Sequence, residues 1–281
     1  MTVAGPRTRL AVWGSPIAHS RSPQLHLAAY ATLGLDWRYE RREVGAERFD
    51  ESLASLDDAW RGLSLTMPLK EGAFRIAVER DRRAELTGAV NTLLLGPGGP
   101  RGVNTDVGGL VRALGDAGVP AVETARIVGA GATASSALVA LSELGASRVE
   151  VLARRPDAAR GLVVLGSRLG MDVRACPLGE DPATPADVVI GTLPGGAGLA
   201  EKDADAALTD APVLLDVAYS PWPSVLAERQ RLRGGAAVSG LGMLLHQALL
   251  QVRFFANGDV DEPLAEEDDV LAAMRAALMG D

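Results

Sequence analysis

Residues 125–155 read ARIVGAGATASSALVALSELGASRVEVLARR, and the order of patterns within them decides the fold. A short apolar strand, RIV, runs into a glycine turn; small and apolar residues then continue for about three helical turns, and a second apolar strand, VEVLA, follows. Strand, turn, helix and strand in this order make a βαβ unit. The turn Gly129-Ala130-Gly131-Ala132-Thr133-Ala134 carries the spacing G-x-G-x-x-(G/A). Its first glycine permits a tight turn, its second lets the backbone approach a pyrophosphate, and the small Ala134 allows close packing of helix on strand. The amino end of the helix then offers free N–H groups to the phosphates. A lone glycine pattern is weak evidence. Directly after a strand and before a helix it marks a dinucleotide site, with Gly129, Ala130, Gly131, Ala132 and Thr133 as the residues nearest the ligand.

The end of the second strand selects the dinucleotide. Sites that choose NAD place a carboxylate there to accept hydrogen bonds from the ribose hydroxyls. Here the strand ends in Arg154 and Arg155, whose planar guanidinium forks suit a 2′-phosphate. NADP is the expected cofactor.

Outward from this unit, apolar runs alternate with helical patterns almost to both ends, which predicts an α/β protein of parallel βα units. Toward the carboxyl end, strands are expected at MDVRA (171–175), ADVVIGT (186–192), PVLLDVAY (212–219) and AAVSG (236–240). A helical tail runs from Leu241 onward, broken at Asn257-Gly258. Toward the amino end, strands are expected at RLAVWG (9–14), WRYERREV (37–44), GLSLT (62–66), AVNTLLL (89–95) and RGVN (101–104), with helices near 23–34, 46–56, 69–86 and 106–117. Gly118-Val119-Pro120 closes the last of these and is the best internal boundary. There is no internal repeat.

Bulk composition sets limits. With 281 residues, 47% of them hydrophobic, the chain can fill one large core or two ordinary ones. The net charge is −8 and neither sign gathers into a long block, so neither a nucleic acid nor a membrane is an expected partner. The opening MTVAGPRTRLAVWGSPIAHS has no apolar leader core and no stretch is long enough to span a bilayer, so a cytoplasmic location is expected. Cys176, the only cysteine, suits a reducing compartment and reads as a small buried hydrophobe. His19, His26 and His246 lack ligand spacing; they read as structural, and no metal is expected.

The chain has 28 lysines and arginines, yet only Lys70 and Lys202 are lysine. Arginine cannot release its proton near neutral pH and lysine can, so Lys70, just past a strand end in LTMPLKEG, is a candidate for proton chemistry. Lys202 lies in the polar run AEKDADAA and reads as a solvated charge. Thr66, Lys70, Asn91, Thr92 and Asp106 all fall at or just beyond expected strand ends, where open α/β sheets bind ligands. The plainer alternative for Asp106 is to cap the helix that begins there. In Ser20-Arg21-Ser22-Pro23, Ser22 fits a helix N-cap and Pro23 the first helical position. The two hydroxyls beside the positive helix end also make a site for a small carboxylate.

Seven segments carry a resemblance to a known family: GSPIAHSRSPQLH (14–26), SLTMPLK (64–70), GAVNTLLL (88–95), GVNTDVGG (102–109), IVGAGATASSA (127–137), LLDVAYSPWPS (214–224) and GLGMLLHQA (240–248). In this order, across the whole chain, they resemble the shikimate dehydrogenases. The resemblance implies a three-layer α/β substrate-binding domain over 1–106, completed by helices in 240–281, around a Rossmann NADP-binding domain over 107–239. It implies that Ser20 and Ser22 hold a carboxylate, that Thr66, Asn91, Asp106 and Gln247 bind ring hydroxyls, and that Tyr219 lines the cleft. Lys70 would be the acid/base of a hydride transfer between NADP(H) and shikimate in the chorismate pathway, with Asp106 holding the ammonium in line. Thr192, Val217, Gly240 and Met243 join the cofactor residues, the last two near the nicotinamide. Leu27, Ser64 and Ala153 depart from the family pattern, each standing where asparagine is usual.

Two other readings stay open at this point. One is a quinate/shikimate dehydrogenase, though those enzymes tend to alter the second serine and to carry an acid where Arg154 stands. The other is a non-catalytic NADP(H) sensor, which would keep the glycine turn but has no need of Lys70 and Asp106. The expected partner is a small-molecule substrate. A homodimer is compatible with the sequence, which does not itself set the oligomeric state.

Overall fold

The computed structural model describes residues 8–280. It divides into two compact units, one formed by the chain up to Thr105 together with the chain from Leu244 onward, the other by Asp106–Met243. In chain order the first unit has β1 (Arg9–Gly14), α1 (Ser22–Thr32), β2 (Arg38–Glu43), α2 (Phe49–Ala54), β3 (Trp60–Leu65), α3 (Lys70–Ile76), β4 (Glu79–Arg80), α4 (Arg82–Thr87), β5 (Thr92–Leu94) and β6 (Arg101–Val103). Helix α5 (Thr105–Asp116) leads into β7 (Thr124–Val128), α6 (Ala132–Glu143), β8 (Arg148–Ala153), α7 (Arg160–Arg168), β9 (Asp172–Pro177), β10 (Val188–Gly191), α8 (Glu201–Ala207), β11 (Val213–Asp216), α9 (Val225–Leu232) and β12 (Ala236–Ser239). Helix α10 (Leu241–Asn257) carries the chain back to the first unit, which α11 (Glu267–Met279) completes. Among the described residues no helix is long and apolar enough to cross a membrane.

The first sheet has the order β2-β1-β3-β5-β6-β4. The alternation of side chains along β1 feeds two cores. Ala11 and Trp13 point into one, where Trp13 meets Phe49 of α2 and Trp60 of β3 edge-on at 6.4 Å, beside Leu69 and Ala73 of the α3 region. On the other face His26 of α1 stacks on Tyr39 of β2 at 4.0 Å and leans on Phe255 of α10, while α1 packs against α11. Helices on both faces of a sheet make the three layers that the resemblance implied.

This sheet is mixed, not wholly parallel as expected. Strand β5 runs against both neighbours, pairing Ser64 with Thr92 and Thr92 with Val103. The helix expected over 69–86 is two helices separated by β4, because the Asp81 carboxylate accepts the Ala84 N–H and starts a new helix there. Ser22 is not the N-cap of α1; that position is Arg21, and Ser22 lies inside the first turn.

The second sheet has the order β12-β11-β10-β7-β8-β9, every pair parallel. Numbered within the unit this is the doubly wound order 3-2-1-4-5-6, whose direction reverses between β7 and β10. The β-branched and leucine runs of these strands are fully buried, as a sheet covered on both faces requires. Among them lies one buried cation. Arg126 of β7 donates to Glu150 of β8, its register neighbour, and to the carbonyls of Ala207, Thr209 and Thr184. Glu150 in turn accepts the Ala183 N–H at 3.1 Å.

Two measurements follow from these cores. Replacing Arg126 with methionine strands the Glu150 charge, and urea unfolding is expected to lose about 3–5 kcal/mol. Burial lowers the His26 pKa to about 3, with the Gln251 hydrogen bond partly offsetting it. Between that value and the ordinary 6.5 the unfolded chain binds the proton and the folded chain does not, so acid favours unfolding. This part of the stability is complete above about pH 6.5 and is lost as pH falls toward 3, at up to about 1.4 kcal/mol per pH unit. Urea midpoints from pH 7 to pH 4 are expected to fall less steeply in His26→Asn than in the unaltered chain.

Candidate active site

The antiparallel β5 shapes the candidate substrate edge. Because β5 runs backwards, its beginning lies level with the ends of β3 and β6, and residues far apart in sequence meet. Thr66 follows β3, Asn91 precedes β5 with Thr92 as its first residue, and Thr105 follows β6. The Asn91 carbonyl accepts the Leu65 N–H at 2.7 Å and its own N–H donates to the Val103 carbonyl at 3.1 Å. The Asn91 side-chain oxygen accepts the Thr105 N–H and the Thr92 hydroxyl, each at 2.9 Å. Thr105 and Asp106, both buried, therefore open α5 from a fixed point. Helix α5 starts at Thr105, so Asp106 occupies its first turn rather than capping it, and a carboxylate there is favoured by the helix dipole.

Lys70 is the first residue of α3 and is half-buried. Its carbonyl accepts the Val90 N–H at 3.0 Å, which ties it next to Asn91. Thr66 donates its backbone N–H to the Trp13 carbonyl, and Ser15 donates to the Met67 carbonyl. These bonds hold the turn after β3 against the end of β1. Gly14 is required there, since a Cβ would come within 2.3 Å of the Thr66 methyl and 2.9 Å of the Met67 carbonyl. The same approach brings in the loop that carries Ser20 and leads into α1, of which Ser22 is the first residue. Ser20 Oγ lies 3.3 Å from Ser22 Oγ and accepts the Ser22 N–H at 3.4 Å, so Ser20 rather than Ser22 serves the open helix end. His19 is exposed. Gln247, buried on α10, donates its amide to the Leu244 carbonyl at 2.9 Å.

In the second unit the glycine turn lies at the switch point of the sheet. Gly129 follows β7, and Thr192, just past β10, donates its N–H and hydroxyl to the Val128 carbonyl at 2.8 and 3.0 Å. Gly129 has φ +119° and a Cβ there would lie 2.4 Å from Thr192 Oγ1, so the position demands glycine twice over. Gly131 sits at the N-cap of α6 with no side-chain cap and no acid in the first turn, and nothing lies within 4 Å of where its Cβ would be. An open, uncapped helix start is the shape an anion needs. Arg154 and Arg155 are exposed immediately after β8, behind the buried Ala153.

The remaining cofactor candidates follow the neighbouring strands. Gly240, after β12, packs so closely on Val217, after β11, that a Cβ would fall 2.0 Å from the Val217 carbonyl oxygen. Met243 is buried in the first turn of α10. Tyr219 lies in the loop between β11 and α9, which Asp216 closes by accepting the Ala218 N–H at 3.1 Å and the Ser224 hydroxyl at 2.5 Å. Burial pushes the Asp216 carboxyl above its ordinary range, and these two donors work against that. Sequence reasoning missed Asp216, Thr105 and Gln251. The repeated Asn-Thr pair at 91–92 and 104–105 signalled Thr105, and Gln251, four residues beyond Gln247 in an apolar helix, was a visible polar anomaly.

With this geometry in view, comparison with known proteins is specific. Residues 12–93 match the model of the shikimate dehydrogenase substrate binding domain. A shikimate dehydrogenase (NADP(+)) of Methylobacterium radiotolerans is 39% identical over 272 residues, which covers 89% of this chain and 90% of that protein. The crystal structure of Mycobacterium tuberculosis shikimate dehydrogenase superposes with a TM-score of 0.84 at 43% identity, covering 96% of this chain and 99% of that one. A shikimate 5-dehydrogenase from Thermus thermophilus, solved in complex with NADP(H) and shikimate, gives a TM-score of 0.78 at 29% identity, with 96% and 99% covered.

Proposed function

Because this chain belongs to the shikimate dehydrogenase family, we propose which of its residues carry out the reaction of that family, the reversible NADPH-dependent reduction of 3-dehydroshikimate to shikimate on the way to aromatic amino acids. The assignment rests above all on one observation: the Asn91 hydrogen bonds to Leu65, Val103 and Thr105, which join the ends of β3 and β6 at one sheet edge, with Lys70 tied to the adjoining Val90. We assign substrate binding to the first unit, in keeping with the matched domain, and NADP binding to the second.

The residues of the second unit fit NADP. The open amino end of α6 at Gly131 would hold the pyrophosphate, and Arg154 and Arg155 the 2′-phosphate. Ala130, Ala132 and Thr133 would border the phosphates, and Thr192, Val217, Gly240 and Met243 the rest of the cofactor. When bound, NADPH supplies the hydride to the ketone carbon of the substrate.

As that carbon is reduced, its oxygen gathers negative charge and needs a proton. The Lys70 ammonium gives it up and is later reprotonated; an arginine could not do this. Asp106 assists by accepting a hydrogen bond from a substrate hydroxyl and balancing the charge of the ammonium. Ser20 and Ser22 bind the carboxylate beside the start of α1, Thr66, Asn91 and Gln247 bind hydroxyl groups, and Tyr219 lines the cleft. We further propose a cytoplasmic location, which the single cysteine favours, and carry a homodimer as the assembly to be tested by sedimentation.

Lys70→Met is expected to lower kcat by about 10²–10⁴ with a smaller change in KM; unchanged kcat would remove Lys70 from the chemistry. Arg154→Ala is expected to raise KM for NADP+ and leave KM for NAD+ nearly unaltered. An unchanged preference between the two cofactors would show that Arg154 does not meet the 2′-phosphate.

A further inference from the structure

Behind the substrate edge lies a connected set of buried polar side chains that the assignments above leave unused. Gln251, on α10 one turn beyond Gln247, is 2% exposed. Its Oε1 accepts the Ser64 hydroxyl at 2.7 Å and lies 3.1 Å from His26 Nε2, and its Nε2 donates to the Asn91 carbonyl at 3.3 Å. Rotating the amide would set its oxygen against that carbonyl, so the direction of every bond is fixed. His26 stays neutral down to about pH 3. With Gln251 Oε1 as acceptor it must carry its hydrogen on Nε2, which leaves Nδ1 to accept the Tyr30 hydroxyl at 3.1 Å. The Tyr39 ring stacks on His26 at 4.0 Å.

One amide therefore ties together the helix that carries Ser22, the last turn of β3 before Thr66, and the backbone of Asn91. Each of these presents a group assigned above to the substrate: the carboxylate serine, a hydroxyl-binding threonine and a hydroxyl-binding asparagine. An apolar side chain could fill the same volume, and replacing a satisfied buried hydrogen-bond set by hydrocarbon of similar shape is often nearly neutral in stability. What the polar set adds is a fixed geometry.

We propose that Gln251 is a positioning residue for the substrate, setting the separation between the carboxylate-binding serines and the hydroxyl-binding Asn91 through Ser64, His26 and the Asn91 carbonyl. This rests on the substrate roles given to Ser20, Ser22 and Asn91. Ser64 is part of the device: its hydroxyl donates to Gln251 Oε1 at 2.7 Å, which helps fix the amide against the Asn91 backbone.

The test is steady-state kinetics of Gln251→Met, a near-isosteric change, with thermal midpoints measured alongside. The KM for shikimate is expected to rise roughly threefold to tenfold, the worth of one or two lost hydrogen bonds. Both kcat and the KM for NADP+ are expected to stay within about twofold, a split that general loosening of the fold would not give. A folded Gln251→Met enzyme with unchanged KM for shikimate overturns the proposal, as does a parallel loss in kcat and both KM values. Should Gln251→Met fail to fold, Ser64→Ala removes a single donor and is judged by the same criteria. Ser22→Ala separates the two levels of the claim. If it leaves KM for shikimate unchanged, the carboxylate assignment is wrong; if it raises that KM while Gln251→Met does not, only the positioning role is lost.

Discussion

Two backbone hydrogen bonds at Asn91 hold the candidate substrate edge together. Its carbonyl accepts the Leu65 N–H and its N–H donates to the Val103 carbonyl, which locks the start of an antiparallel strand between the ends of two strands running the other way. Were β5 parallel to its neighbours, Asn91 and Thr92 would lie at the opposite edge of the sheet, about 10 Å away across a three-residue strand. With the backbone fixed, the Asn91 side chain is free to capture the Thr105 N–H, and the start of α5 is placed with it. Lys70 is tied to the same point by the Val90 N–H. The groups proposed as proton donor and hydroxyl binders thus inherit their spacing from strand register, the least adjustable part of a sheet.

The second unit reaches the same end differently. Its sheet is wholly parallel, so every loop after a strand falls on one edge, and the reversal of winding between β7 and β10 opens a gap there. Two close approaches lie at that edge: Gly129 against the Thr192 side chain, and Gly240 against the Val217 backbone. Both are places where any side chain would collide, so packing alone demands glycine at each. Deeper in the sheet, Arg126 and Glu150 bind the strands to the loops beneath through a satisfied ion pair. A buried pair of this kind contributes little net stability but punishes the loss of either member.

The legible parts of the sequence were those governed by local rules. The βαβ pattern at 125–155 foretold β7, α6 and β8 almost to the residue, because period and glycine spacing are local properties. The reversal of β5 was harder, since AVNTLLL has the same apolar content in either direction. A cue did exist: the connection 95–100 between β5 and β6 is too short for a parallel crossover and fits only a hairpin. Asp81 likewise offered a helix start inside what read as one long helix. Residue type and spacing point to Ser22 as the cap, but the chain turns so that Ser20 Oγ meets the Ser22 N–H instead. The link between Gln251 and residues 26, 64 and 91 depends on tertiary packing alone, and no spacing in the sequence encodes it.

The reaction itself is tested most directly by measuring kcat/KM for shikimate and for quinate, each with NADP+ and with NAD+. The proposed hydrogen-bonding groups at the sheet edge and the arginines after β8 lead to shikimate with NADP+ exceeding every other pairing. Equal or faster oxidation of quinate, or equal use of NAD+, would contradict it.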